Sequence, residues 1–149
     1  MPRLVVESPI GPFALVEEDE AIVAIDWGGA SAGAPTRLLV EAKRQLGAYF
    51  TGKRQRFDLP VQPRGAASDL KVWHAMADIP FGGTKTYGEL AKMLELTPLF
   101  VGQACGRNPV PILLPCHRVV SATGLGGFSA PGGVEWKRRL LLHEGALLL

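Results

Sequence analysis

The feature that most restricts this chain is a change of hydrophobic period across the proline-bearing segment "GKRQRFDLPVQPRGAA" (52 to 67). Ahead of it, "RLVVES" and "PFALVEEDEAIVAIDW" are short apolar runs broken by acidic and Gly/Pro punctuation, the signature of a small antiparallel sheet with a hairpin near Glu18 and Asp19. "TRLLVEAKRQLGAYF" then sets Leu38, Leu39, Ala42, Leu46, Tyr49 and Phe50 at helical spacing behind Thr36 as N-cap. The segment itself, with Pro60 and Pro63, is expected to be a strand-like connection, and beyond it the spacing is helical. Such a chain reads as α+β: a small N-terminal antiparallel-sheet lobe with a helix, residues 1–63, and a mostly helical C-terminal lobe, residues 64–149.

Within the second lobe, "SDLKVWHAMADI" (68 to 79) predicts a helix capped by Ser68. A helix over residues 86–94, a break at 95–98 and a second helix from Pro98 make a helix-turn-helix candidate, a pattern that plain packing also produces. The last helix, 133–145, is expected to turn Val134, Leu140, Leu141 and Leu142 to a core, with His143 and Glu144 near its end.

Charge adds little. The net charge is +2, and the basic runs "KRQRF" and "WKRRLLLH" and the acidic "VEEDE" are what solvated faces carry, so alone they assign no polyanion site. The N-terminus meets Pro, Glu and Asp before any long apolar run, so neither a leader nor a membrane span is expected, and a cytoplasmic location is. Two cysteines, Cys105 and Cys116, then read as free thiols.

The stretch "LLPCHRVV" places Cys116 beside His117 between a proline and an apolar run. Two cysteines without a C-x-x-C pattern do not make a structural zinc site. An inert buried cysteine and a nucleophile both remain open. Asn108, His117, Arg118, Ser129 and Glu144 are polar residues among apolar stretches, and a histidine with a carboxylate partner can take a thiol proton. A Cys-His hydrolase is a further alternative, which would show turnover on an ester or amide.

Together, "NPVPILLPCHRVV" (108 to 120), "GLGGFSAPGG" (124 to 133) and "KRRLLLHEG" (137 to 145), with "PFGGTKTYGELA" (80 to 91) and "VGQACGRNP" (101 to 109), resemble the O6-alkylguanine-DNA alkyltransferase family. The resemblance implies a DNA repair protein that moves an alkyl group from O6 of guanine irreversibly to its own Cys116, once per molecule, after turning the base out of the duplex. It implies that His117 takes the thiol proton through water, that Glu144 orients His117, that Asn108 fixes the turn and that Tyr87 donates to the leaving base. Val119, Ser129, Phe128 and Arg118 are implied as substrate contacts, with a tie between loop and core as the alternative role of Arg118. The helix-turn-helix is implied to enter the minor groove of double-stranded DNA through Leu99, Phe100, Gly102, Gln103 and Arg107. A monomer without metal or cofactor is expected.

The chain departs from the family in two places. An arginine normally opens the recognition helix; here Leu99 holds that position, and an apolar wedge at Leu99 or Phe100 is the expected substitute. Ser68 and Asp69 stand where the family usually has phenylalanine and glutamine. The competing reading within this resemblance is a lesion-binding sensor without alkyl transfer. Such proteins lack the reactive cysteine, and Cys116 is present.

Overall fold

The computed structural model describes residues 1–126 and 133–147, and the chain divides into two compact units, Met1–Arg64 and Gly65–Leu149. The first is a three-stranded antiparallel sheet in the order β1 (Arg3–Val6), β2 (Phe13–Glu18), β3 (Ala21–Trp27), with one helix, α1 (Arg37–Phe50). β2 and β3 are joined by Asp19 and Glu20, both at positive φ (52° and 61°), the backbone sense that matches the twist of a tight hairpin. The Thr36 hydroxyl accepts from the Leu39 amide and donates to Glu17, which fixes the start of α1 beside the sheet. Leu39, Ala42, Leu46 and Tyr49 are buried.

Buried Gln45 holds the following segment: its amide donates to the Asp58 carbonyl at 3.1 Å and accepts from the Asp58 N–H at 2.9 Å. The strand expected over this connection reduces to a single bridge between Ile22 and Val61. Pro60 and Pro63 have no N–H to offer a ladder on either side of it.

The second unit is helical. α2 (Ala67–Ala77) begins after Ala66, which makes no side-chain cap; Ser68 lies inside the first turn instead of capping it. Asp69 supplies negative charge in that turn, where the helix dipole favours it. A capping box between Thr86 and Glu89 starts α3 (Tyr87–Leu94), Glu95 ends it in the left-handed region (φ 58°), and Thr97 with Pro98 at the first position starts α4 (Pro98–Gly106). This is the helix-turn-helix. α2 carries α4 through Trp73, whose indole N–H donates to the Ala104 carbonyl at 2.8 Å.

Two dipeptide strands, β4 (Lys85–Thr86) and β5 (Val119–Val120), pair in parallel. α5 (Val134–His143) closes the unit. It buries Leu140 and Leu141 as expected, but Val134 is half exposed and Leu142 only partly covered. The third fully buried position of this helix is a charged one, Lys137. Among the described residues no helix is long and apolar enough to cross a membrane.

Candidate active site and nucleic-acid interface

Asn108 builds the turn that presents Cys116. Its side-chain oxygen accepts from the Val110 N–H at 3.0 Å, and its amide nitrogen donates to the Leu114 carbonyl at 2.8 Å, so one buried side chain pins both ends of the intervening loop. Within that loop Ile112 sits at φ +75°, a conformation that costs a β-branched residue about 1–3 kcal/mol and persists only where the surroundings enforce it. The Leu114 carbonyl also accepts from the Cys116 N–H at 2.8 Å, which leads into a single 3-10 turn, Cys116–Arg118. Burial pushes the Cys116 thiol up from its usual pKa, against the hydrogen bond from Asn108 and the charge on Lys137. The resting group is therefore the neutral thiol, and attack requires a base.

His117 has the chemistry of such a base. Its Nε2 atom lies 2.8 Å from Glu144 Oε2, and Glu144 in turn accepts from Arg118 Nε at 2.8 Å and Nη2 at 3.0 Å. A carboxylate held by a guanidinium is an acceptor, so neutral His117 carries its proton on Nε2 and its lone pair on Nδ1. Nδ1 is buried and has no partner among the described residues. Burial lowers the His117 pKa, opposed by Glu144, which keeps the ring neutral and able to accept.

Arg118 donates its remaining Nη1 to the Ile79 carbonyl at 2.7 Å. These donors tie the loop to the core, the alternative role given for Arg118.

The β4–β5 pairing sets Tyr87, the first residue of α3, beside the strand that follows the cysteine. Between them lies Lys137. Its ammonium donates to the Val119 carbonyl at 2.6 Å and to the Tyr87 hydroxyl at 3.2 Å, and burial brings its pKa down to about 8 from 10.5. A phenol that accepts from an ammonium is the stronger acid for it. Gly126 (φ +77°) closes over the same hydroxyl: a Cβ there would stand 2.4 Å from Tyr87 Oη. Val119 is buried, with its carbonyl engaged by Lys137.

Lys137 was hidden in the sequence within a basic run. Its spacing to Leu140, Leu141 and Glu144 (i, i+3, i+4, i+7) is the signal that could have placed it on the buried face.

Phe128 and Ser129 lie outside the described residues. Cys105 is set apart from Cys116 chemically: buried against Met76 Sδ at 3.6 Å, its thiol is pushed up to about 12 and is inert at neutral pH.

On α4, Leu99 and Gln103 are exposed, and Phe100 and Gly102 are partly covered. Exposed Arg107 follows the helix, where its guanidinium pairs with Asp69 at 2.7 Å and lies 5.5 Å from the Phe100 ring centroid.

Residues 67–146 match the family model of the 6-O-methylguanine DNA methyltransferase DNA-binding domain, and residues 3–63 match that of its ribonuclease-like domain. The chain belongs to this family. A methylated-DNA–protein-cysteine methyltransferase of Methanosarcina acetivorans is 38% identical over 94% of this chain and 96% of its own. One from Methanopyrus kandleri is 46% identical over 74% and 84%. Among solved structures, the Mycobacterium tuberculosis O6-methylguanine methyltransferase superposes with a TM-score of 0.85 at 33% identity, covering 99% of this chain and 94% of that one. Mycobacterium tuberculosis OGT in complex with DNA gives 0.84 at 34% identity over 95% and 91%. The α+β architecture is therefore the family's, and DNA is the partner class of the matched domain.

Proposed function

We propose that this chain repairs O6-alkylguanine in double-stranded DNA by taking the alkyl group onto Cys116, as a monomer in the cytoplasm, once per molecule. The observation that carries the assignment of roles is the buried chain Arg118–Glu144–His117, which leaves a lone pair on Nδ1 of the residue that follows the protonated Cys116 in sequence. The thiol proton passes to Nδ1 through a water, and the thiolate sulfur attacks the alkyl carbon. The S–C bond forms as the C–O bond breaks, and the electron pair stays on guanine. Tyr87 protonates the departing base and is resupplied by Lys137. Guanine and a thioether result, and a thioether offers no return path.

The lesion is hidden inside a duplex, so the base must be turned out, and α4 enters the minor groove to do so. The groove's poor donor and acceptor code makes damage recognition a matter of weakened pairing and pocket fit. The test is to titrate the protein against excess duplex bearing one O6-methylguanine and count the lesions that remain after DNA digestion. Loss that stops at one lesion per protein molecule is expected; continued turnover would overturn the reading.

A further inference from the structure

Alkyl transfer through this site leaves a nucleophile behind. Lys137 is fully buried on α5, its ammonium donating to the Val119 carbonyl and the Tyr87 hydroxyl and lying 5.5 Å from the centre of the Tyr87 ring. The Val119 N–H in turn donates to the Cys116 carbonyl, so the ammonium is bonded to the end of the turn that carries the acceptor sulfur. Beside the larger effect of burial, each group's charge acts on the other: Lys137 favours the thiolate of Cys116, and Cys116 favours the ammonium of Lys137.

The movement of protons during transfer fixes the state of each group afterwards. Tyr87 gives its proton to the departing base and is resupplied by Lys137, where burial already disfavours the charged nitrogen, and the lysine is left as a neutral amine. Its neighbours end differently. His117 has taken the thiol proton on Nδ1 and is an imidazolium held by Glu144. Cys105, with its thiol pushed up to about 12, stays protonated and donates to Met76. Arg118 remains a cation bound to Glu144. Among these groups the Lys137 amine alone is a strong nucleophile once the thioether has formed.

A methyl thioether gives this amine nothing to attack, but an alkyl group with a leaving group on its second carbon does. We propose that when the transferred group is 2-haloethyl, Lys137 attacks it and closes an ethylene bridge from Cys116 Sγ to Lys137 Nζ, so that the protein takes both reactive ends of a bifunctional lesion. The proposal rests on the function given above. The thioether sulfur displaces the halide from the second carbon and forms a three-membered sulfonium ring. The amine lone pair opens that ring at carbon, the C–S electron pair returns to sulfur, and the nitrogen sheds its extra proton. Bridged protein, halide and a proton result. Water or a nucleophile of the bound DNA is the competing partner for the ring, and attack by DNA would fix protein to DNA.

The test incubates wild type and Lys137→Met with a freshly prepared duplex carrying O6-(2-chloroethyl)guanine, and with an O6-methylguanine duplex as reference, and reads the products by intact mass and peptide fragmentation. Most alkylated wild-type molecules should gain one ethylene in place of two hydrogens, mapped as a link between Cys116 and Lys137. Lys137→Met, alkylated more slowly, should carry an open 2-hydroxyethyl thioether or be fixed to DNA. Products are counted per alkylated molecule, so slower transfer does not enter the comparison, and the mapping on wild type decides the matter even if the variant does not fold. An open 2-hydroxyethyl group on most wild-type molecules, a bridge that ends elsewhere, or methyl transfer without 2-chloroethyl transfer overturns the proposal. Wild type that takes no methyl from the reference duplex overturns the functional reading instead.

Discussion

Replacing Lys137 by methionine, close to it in length and volume, separates stability from chemistry. Lowering the lysine pKa from 10.5 to about 8 corresponds to a penalty of about 3 kcal/mol on the buried ammonium at neutral pH. Methionine removes that penalty but leaves the Val119 carbonyl without its donor, at about 1–3 kcal/mol. The variant should therefore be as stable as wild type or about 2 kcal/mol more stable at pH 7. The sign of the pH dependence follows from the direction of the shift. Between the folded value of about 8 and the unfolded 10.5, the unfolded state holds a proton that the folded state has lost, so stability conferred through Lys137 rises with pH. Wild type should gain about 2 kcal/mol on the variant between pH 7 and 9.5. Urea unfolding at the two pH values measures both quantities. Alkyl transfer should move the other way, about 10–100-fold slower in Lys137→Met at pH 7, with the gap closing above pH 8 as the wild-type ammonium is lost. A variant that transfers at the wild-type rate, or one destabilised by several kcal/mol with no difference in pH dependence, would refute this account of Lys137.

Glu144→Gln leaves the buried Arg118 guanidinium without its counter-charge and should cost about 3–5 kcal/mol in urea unfolding, with transfer lost at permissive temperature. Gly126→Ala adds a Cβ 2.4 Å from Tyr87 Oη at a positive φ, so it should slow transfer more than Tyr87→Phe slows it, since the ring must be displaced as well. A Gly126→Ala variant that transfers at the wild-type rate would show that the loop yields without moving Tyr87. Asn108→Ala removes the bonds to Val110 and Leu114 that hold Ile112 in its strained conformation, and a loss of about 2–4 kcal/mol in stability is expected.

What the sequence made legible was whatever local chemistry dictates. Thr97-Pro98 marks a helix start whatever surrounds it, and Thr36 caps α1 for the same reason. Cys116, His117, Asn108 and Glu144 stood out because polar groups in apolar surroundings require partners, and the structure supplies those partners. Ser68 misled because a capping residue type near a helix start does not have to cap; the backbone turns two residues earlier, at Ala66. The β4–β5 pair was invisible, since two residues carry no period, yet it is what sets Lys85 and Thr86, just ahead of Tyr87, against Val119 and Val120. Lys137 was missed because a charged residue in a basic run looks solvated, and its burial depends on tertiary neighbours, Tyr87 and Val119, that no local pattern announces.

The central claim is that Cys116 is the alkyl acceptor. Intact-protein mass after incubation with a duplex carrying one O6-methylguanine, with Cys116→Ala beside it, tests that claim most directly. The account predicts one added methyl per wild-type molecule and none on the alanine variant. Tight binding to the lesion with no change in mass, or a methyl that survives the substitution, would contradict it.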